Sequence, residues 1–317
     1  MTGTRPGRSG VVVVGSAMVD LVSYVDRIPR PGETMLASGF SQGYGGKGAN
    51  QAAAVALHGV ACSMVGCVGD DLFGPATIAD LEAYGVDTTH VATAPGEVTG
   101  TASILVEPSG ENRIALGMGA NRCVDARFVA DALAASTARS ASMPAVVVSQ
   151  LETPQDAAIT AFEWARERGA TTVLTPGPAL EVSPRLAAAC DWMVPNETEL
   201  AALVGVAPDH PIDDALGLAA AYVGERGVAL AVTLGAAGAL LVTPEGEVRV
   251  PAPIVRVRDT TGAGDAFAGT FAAGLAVGAD AVDAARRAVA VASDSVTRPG
   301  TRVAYRPTGG PGLPALS

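Results

Sequence analysis

The chain has 317 residues, enough for one large α/β domain or two ordinary ones, and 49% of them are hydrophobic, which suffices for a sizeable core. Its formal net charge of −11 argues against a nucleic-acid-binding surface, so no nucleic-acid partner is expected. No apolar run reaches the length of a membrane span and the N-terminus lacks the apolar core of a signal peptide, so we expect a cytoplasmic protein with no membrane partner.

Short β-branched runs alternate along the chain with longer alanine-rich segments of helical period. The predicted strands are 11–14, 62–71, 145–152, 171–178, 191–196 and 230–235. The predicted helices are 47–58, 72–84, 125–136, 154–168, 197–204, 213–225, 264–277 and 279–296. This alternation predicts an α/β fold, with a mostly parallel central sheet covered by helices on both faces.

Two segments, about 20–45 and 99–118, break this rhythm because both read as strand pairs with no helix beside them. We predict that they form a small separate β-sheet, a lid over the carboxyl ends of the main strands, where ligands of α/β proteins bind. The predicted organisation is a single domain over 11–306, with flexible ends at 1–10 and 307–317.

The stretch GYGGKGANQAAAV (43–55) is glycine-rich, carries a lysine and starts a helix, but it lacks the Walker A spacing. A structural interpretation makes it a flexible hinge before a helix. A functional interpretation is that the glycines let the backbone approach a polyhydroxyl ligand, while Asn50 donates and accepts hydrogen bonds. The first strand is followed by a single glycine, Gly15, which does not fit a dinucleotide fingerprint and disfavours a dehydrogenase.

The stretch PNETEL (195–200) follows a predicted strand and opens a helix. As a capping box, Asn196 caps the helix and Glu199 reaches back to it, which is a sufficient structural explanation of the motif taken alone. In the functional interpretation the same two side chains lie near the metal and phosphates of a nucleotide, because oxygen ligands and water suit Mg²⁺.

The stretch DTTGAGDAF (259–267) places a carboxylate at the first turn of a helix, behind a glycine loop. Free amides and the helix dipole make such a loop attractive to anions. Asp265 is either an ordinary first-turn carboxylate or a base held beside a phosphate. The two glycines before it favour the base.

Taken together and in order, these motifs resemble the ribokinase family, the PfkB-type carbohydrate kinases. GGKGANQA and DTTGAGDAF are similar to the two signatures of that family, PNETE to its Asn-x-x-Glu motif, and GDDLFG (69–74) to its connection after the second strand. The resemblance runs from about 11 to 300, and it implies a ribokinase-like three-layer sandwich with a β lid.

The resemblance implies the following roles. Asp265 is the general base, and the amides of Gly262, Ala263, Gly264 and Asp265 form the anion hole for the transferred phosphoryl group. The implied sugar contacts are Met18, Asp20, Gly46, Lys47, Asn50 and Glu152. The implied nucleotide contacts are Asn196, Thr233, Gly235, Gly238 and Gly264.

The family also implies two ions. Glu199 would hold Mg²⁺ through water, and a loop for K⁺ would use Asp259, Thr261, Ser295, Arg298 and Gly300, the last three mainly through carbonyls. Three positions depart from the common pattern: Met18 and Thr175 stand where asparagine is usual, and Ala304 stands where serine is frequent.

The implied function is ATP-dependent phosphorylation of the 5-hydroxyl of D-ribose. A kinase for 2-deoxyribose, another pentose or a nucleoside is an alternative, and a non-catalytic sugar-binding regulator is an alternative of a different class. The family habit further implies a homodimer formed through the lid.

Overall fold

The structure, a computed structural model, describes residues 9–109, 111–139, 143–207 and 211–305. The predicted flexible ends therefore lie almost entirely outside the described residues. Within these ranges the strands are β1 (Val11–Val14), β2 (Met18–Tyr24), β3 (Gly39–Gly45), β4 (Cys62–Gly69), β5 (Asp87–Ala94), β6 (Gly100–Val106), β7 (Asn112–Gly117), β8 (Val146–Gln150), β9 (Thr171–Thr175), β10 (Trp192–Met193), β11 (Ala229–Thr233), β12 (Ala239–Thr243) and β13 (Gly246–Val250).

The helices of the described residues coincide closely with the predicted ones, except for α5, which was not predicted. They are α1 (Lys47–Leu57), α2 (Phe73–Ala83), α3 (Ala126–Arg139), α4 (Gln155–Glu167), α5 (Pro184–Ala189), α6 (Glu197–Val204), α7 (Ile212–Arg226), α8 (Ala263–Ala276) and α9 (Ala281–Ser295). No helix of the described ranges combines the length and the apolar character that crossing a bilayer requires.

The central sheet has nine strands in the order β13-β12-β11-β10-β9-β8-β1-β4-β5. All pairs from β11 to β5 are parallel, and β12 and β13 extend one edge as antiparallel strands. The predicted mostly parallel sheet is confirmed, and the carboxyl ends of its parallel strands share one edge.

The run of four valines that forms β1 shows how the three layers are held together. Val12 and Val14 belong to an apolar cluster shared with helices α3 to α7, whereas Val11 and Val13 belong to the cluster on the other face, shared with α1, α2, α8 and α9. A strand buried on both faces needs apolar side chains at every position, since successive side chains point to opposite sides.

The predicted lid is a separate four-stranded sheet in the order β3-β2-β6-β7. Strands β2 and β3 are antiparallel, and β6 and β7 form a hairpin in which the Glu107 amide donates to the Glu111 carbonyl at 2.9 Å. Strand β2 pairs in parallel with β6, so two hairpin-like segments that are far apart in sequence make one sheet.

Four elements of the described chain were not predicted from the sequence. Strand β5 is mostly polar and lies at a sheet edge, so it lacks the apolar run of a buried parallel strand. Strand β12 follows a glycine turn and small residues, and β13 has only two apolar residues at the other sheet edge. Helix α5 has only six residues, too few to show a helical period.

Candidate active site

The first turn of α8 lies at the carboxyl edge of the central sheet and carries the DTTGAGDAF motif. Gly262 caps the helix with a φ of +76°, a conformation that favours glycine, and its carbonyl accepts a hydrogen bond from the Tyr305 hydroxyl at 2.7 Å. The Ala263 amide donates to the Thr260 carbonyl at 3.2 Å. The amides of Gly264 and Asp265 find no acceptor in the described part of the chain. Open amides at a helix N-terminus form an anion-binding site.

Asp265 is 6% exposed, and two side-chain amides of α1 hold its carboxylate. Asn50 donates from Nδ2 to Oδ2 at 2.8 Å, and Gln51 donates from Nε2 to Oδ1 at 2.9 Å. Each carboxylate oxygen therefore has one fixed donor and retains acceptor capacity for another. The Oδ1 of Asn50 is buried and finds no partner among the described residues.

Lys47, at the start of α1, faces three acidic side chains of the predicted site. Burial alone would lower the pKa of the Lys47 ammonium, but the charges of Asp265, Glu199 and Glu152 outweigh it and raise that pKa. Gly177, which follows β9, lies so close to the Lys47 ammonium and to Oε1 of Glu199 that a side chain there would overlap both. Motifs separated by up to 218 residues in sequence thus meet at one point.

Glu152, two residues after β8, is 6% exposed, and its carboxylate accepts hydrogen bonds from two separate segments of the chain. Its Oε2 accepts from the Ser16 hydroxyl at 2.6 Å and from the Lys47 amide at 2.8 Å. Burial raises the pKa of Glu152, and the Lys47 ammonium opposes that shift. Gly46 caps α1 immediately before this contact, in the left-handed region with a φ of +88°.

Two further predicted sugar contacts, Met18 and Asp20, lie on lid strand β2. Burial raises the pKa of Asp20 to about 6, opposed by Arg302 and reinforced by the charges of Glu152 and Asp265. Met18 is 1% exposed. Its side chain lies beside Gly100 of the neighbouring strand β6.

The PNETEL motif forms the capping box that the structural interpretation predicted. The Glu199 amide donates to Asn196 Oδ1 at 2.8 Å, and the Asn196 amide donates to Glu199 Oε2 at 3.0 Å. Asn196 is exposed and Glu199 is 5% exposed, and burial raises the pKa of Glu199 against the opposing charge of Lys47. The backbone of Asn196 also forms an isolated parallel β-bridge with Thr233, the last residue of β11. The turn from Gly235 to Gly238 follows directly.

Asp259 holds two of the other residues assigned to a monovalent cation, Thr261 and Gly300. Its Oδ1 accepts from the Thr261 amide at 2.9 Å, and its Oδ2 accepts from the Gly300 amide at 2.8 Å. Burial would raise the pKa of Asp259, but hydrogen bonding from the Thr261 side chain and from the Gly300 and Thr261 amides outweighs it and lowers that pKa. Ser295 is buried at the end of α9, and its hydroxyl donates to a carbonyl of the same helix.

Arg298 does not offer its side chain to that loop. Its guanidinium forms an ion pair with Asp294 and donates to the Ala304 carbonyl at 2.7 and 3.1 Å. Arg298 could therefore serve a cation only through its backbone carbonyl. At Ala304, where serine is frequent in the family, the backbone carbonyl already accepts hydrogen bonds from the Arg298 guanidinium.

Several residues of the site were not singled out from the sequence. Gln51, Gln150 and Ser16 are fully buried and hydrogen-bonded within the site, and although Gln51 lies inside the GGKGANQA motif, the resemblance gave none of the three a role. Arg302 is 2% exposed, and its Nη2 lies 3.0 Å from Asp80 Oδ2 on α2. Gln51 and Gln150 are polar residues at predicted helix and strand positions, which could have indicated them, whereas Ser16 and Arg302 lie outside the predicted elements and gave no such signal.

Comparison with known proteins supports the same assignment as the motifs. The model of the pfkB family carbohydrate kinases matches residues 8–308. A deoxyribokinase of Salmonella typhi is 39% identical over 299 residues, which cover 93% of this chain and 95% of the relative. A ribokinase of Schizosaccharomyces pombe is 38% identical over 299 residues, covering 92% of each. Arabidopsis thaliana ribokinase, solved in complex with ribose and ATP, superposes with a TM-score of 0.82 at 29% identity, covering 95% of this chain and 96% of that one.

Proposed function

Because the chain belongs to the pfkB family of carbohydrate kinases, we propose that it transfers the γ-phosphoryl group of ATP to the 5-hydroxyl of D-ribose and also accepts 2-deoxyribose. One observation carries this proposal. The carboxylate of Asp265 is buried and oriented beside the open amides of Gly264 and Asp265, so a base and an anion hole share the first turn of α8.

In the proposed step, Asp265 accepts the proton of the 5-hydroxyl as its oxygen bonds to the γ-phosphorus. The bond from that phosphorus to the β–γ bridging oxygen breaks, and the electron pair leaves with ADP. Phosphoryl transfer depends chiefly on positioning and charge stabilisation, which the amides of α8 and the Lys47 ammonium supply.

The sugar would bind between the lid and the start of α1. Asp20 and Glu152 are acceptors suited to vicinal hydroxyls, and Gly46 allows close approach of the backbone. The buried Oδ1 of Asn50 lacks a partner in the described chain, and a sugar hydroxyl would satisfy it. These are four groups that fit a polyhydroxyl ligand better than an apolar one.

The nucleotide would lie along the carboxyl edge from α6 to β11, against Asn196, Thr233 and the Gly235–Gly238 turn. Bound Mg²⁺ would neutralise phosphate charge, and the buried carboxylate of Glu199 suits a water-mediated hold on it. For K⁺, the ionised Asp259, which already tethers Thr261 and Gly300, provides the charge of the proposed loop.

A kinase that prefers 2-deoxyribose is the second candidate. Two observations favour it: the 39% identity to a deoxyribokinase, and the buried thioether of Met18 on the lid strand that also carries Asp20. A thioether is at best a weak acceptor and does not donate, so it serves a 2-hydroxyl poorly.

ADP release with a panel of ribose, 2-deoxyribose, other pentoses and nucleosides, each with and without K⁺, tests the proposal. We expect ribose and 2-deoxyribose to give the highest kcat/KM. Absence of turnover with every member of the panel would support a non-catalytic sugar-binding relative.

The variant Asp265→Asn tests the base directly. We expect kcat to fall at least about 100-fold while ATP and sugar still bind, since the amide keeps the shape of the side chain but cannot take the proton. Retention of more than about a tenth of the wild-type kcat would overturn the assignment of the base.

A further inference from the structure

A buried chain of amides connects the central sheet to the carboxylate of Asp265. Gln150, the last residue of β8, donates from Nε2 to Gln51 Oε1 at 2.7 Å. Gln51 in turn donates from Nε2 to Asp265 Oδ1 at 2.9 Å and to the Thr175 hydroxyl at 3.2 Å. Gln51 and Gln150 are both 0% exposed, and Thr175 is 5% exposed.

The chain of hydrogen bonds has a direction. Because Gln150 presents its NH₂ group to the carbonyl oxygen of Gln51, the NH₂ group of Gln51 must point the other way, toward Asp265 and Thr175. Rotating the Gln51 amide by half a turn would place its oxygen against the carboxylate and its NH₂ against the NH₂ of Gln150. Both contacts would then be repulsive, so the observed orientation is strongly preferred.

The backbone has been shaped around Gln150. A side chain at Gly15, the residue after β1, would overlap Oε1 of Gln150. That oxygen is buried and finds no partner among the described residues. The single glycine after the first strand thus leaves room for this amide, and Gln150 is held at the junction of β1 and β8.

We propose that Gln51 is a positioning residue for the general base and that Gln150 acts on the base through Gln51. The inference rests on the proposed function, because it takes Asp265 as the group that accepts the proton. With Asn50 fixing Oδ2 and Gln51 fixing Oδ1, the carboxylate cannot rotate about its χ2 bond, so its remaining lone pairs keep one direction. Neutral amides do this without bringing a competing positive charge to the base.

The variants Gln51→Met and Gln150→Met keep side-chain length and remove the amides. We expect Gln51→Met to lower kcat about 10- to 100-fold and Gln150→Met about 3- to 10-fold, with the KM for sugar and for ATP within about threefold of wild type. A loss confined to kcat is the signature of a misplaced base, whereas a damaged pocket would raise KM as well.

The double variant Gln51→Met/Gln150→Met distinguishes an amide relay, in which Gln150 acts on Asp265 only through Gln51, from two residues that act independently. If Gln150 acts only through Gln51, the double variant should lose no more than Gln51→Met alone. Multiplied losses, or a kcat within twofold of wild type in folded Gln51→Met, would overturn the proposal. Should Gln51→Met not fold, the kcat of Gln150→Met still decides it, and a value within twofold of wild type would overturn the proposal.

The matched control is Thr172→Val at the opposite end of β9. Thr172 is 0% exposed and its hydroxyl donates to the Ala189 carbonyl at 2.8 Å, so its loss also removes a buried hydrogen bond. We expect this variant to melt earlier and to keep its kcat, which shows that a buried polar deletion does not by itself slow the reaction.

The side-chain NH₂ resonance of Gln51 provides a readout that does not depend on turnover. Assigned by its absence in Gln51→Met, it should shift in Asp265→Asn and in Gln150→Met, and not in Thr172→Val. If the sugar panel gave no turnover but the resonance shifted as expected, the proposed function would fail while the amide relay stood. An unshifted resonance in an active enzyme would overturn the relay alone.

Discussion

The charge state of the Asp20 carboxyl group depends on its burial and on three charged neighbours. Burial raises its pKa to about 6, Glu152 and Asp265 add to that shift, and Arg302 opposes it. The ionised form offers both oxygens as strong acceptors to two sugar hydroxyls, whereas protonation turns one of them into an O–H donor. The charge state of Asp20 should therefore control sugar binding close to neutral pH.

We predict that the KM for the sugar rises as the pH falls through about 6, by up to about tenfold per pH unit once Asp20 is mostly protonated. The sign follows from the raised pKa, because acid protonates the acceptor that the sugar needs. The measurement is the sugar Kd by calorimetry, together with KM, between pH 5 and 8. In Asp20→Asn the KM should be high throughout, without the inflection near 6, and a flat wild-type curve would contradict the prediction.

Met18 tests which group reads the 2-hydroxyl of the sugar. An asparagine there could pair with that hydroxyl, whereas a hydroxyl buried against the thioether without another partner costs about 1–3 kcal/mol. We predict that Met18→Asn raises the ratio of kcat/KM for ribose over 2-deoxyribose. An unchanged ratio would mean that Asp20 and Glu152 satisfy the hydroxyl and that Met18 only packs.

At the scale of the element, α6 shows how one motif serves structure and chemistry together. Asn196 and Glu199 cap the helix reciprocally, as the capping-box pattern predicted. The same cap leaves Asn196 exposed at the carboxyl edge of the sheet and holds Glu199 buried beside Lys47. A function for either residue has to be tested with a substitution that preserves the cap.

The variant Asn196→Asp provides that test, since aspartate caps helices as well as asparagine does. We expect the free energy of unfolding to change by less than about 0.5 kcal/mol. We expect the KM for ATP to rise about tenfold, because a new negative charge would face the phosphates. Asn196→Ala, which loses the cap, should instead lower stability by about 1 kcal/mol. An unchanged KM for ATP in Asn196→Asp would leave Asn196 with a capping role alone.

At the scale of the whole molecule, the lid exposes apolar side chains on the face that also carries Asp20. The register pairs Asp20 with Ala102 and Ala102 with Leu116, so these three side chains lie on one face of the lid. Tyr24 and Ile114 lie on the same face, because each is an even number of residues from Asp20 or Leu116 along its strand. Ile114 and Tyr24 are 54% and 43% exposed. A second copy of the lid would bury this face in a symmetric way.

We predict a homodimer formed through the lid, with twice the 31.6 kDa of the chain by light scattering at micromolar protein. The double variant Ile114→Lys/Leu116→Lys should be monomeric, because charged side chains do not bury well at such an interface. Val248→Lys is the control, since Val248 is 40% exposed on the edge strand β13. A monomeric wild type would contradict the prediction.

Local patterns in the sequence predicted the parallel sheet, its covering helices, the lid and the helix that carries Asp265. Those features depend on the period of apolar residues and on turn chemistry, which neighbouring residues determine. The edge strands β5 and β13 escaped because an edge strand needs only partial burial, so their sequences lack a continuous apolar run. Strand β12 is buried, but its short apolar run directly follows a glycine turn and small residues, which obscured it.

The chain of amides that holds the Asp265 carboxylate could not be predicted from such local patterns. Gln51 contacts Gln150 across 99 residues and Asp265 across 214, and Arg302 reaches Asp80 on α2. A glutamine acquires a donor direction only from the partner opposite it, and those partners are chosen by the packing of α1 on α8 and on the sheet. The sequence by itself determined the elements and the chemical groups at their ends; which groups face one another was decided only by the tertiary structure, since hydrogen bonds and charges act over a few ångströms of space and not along the chain.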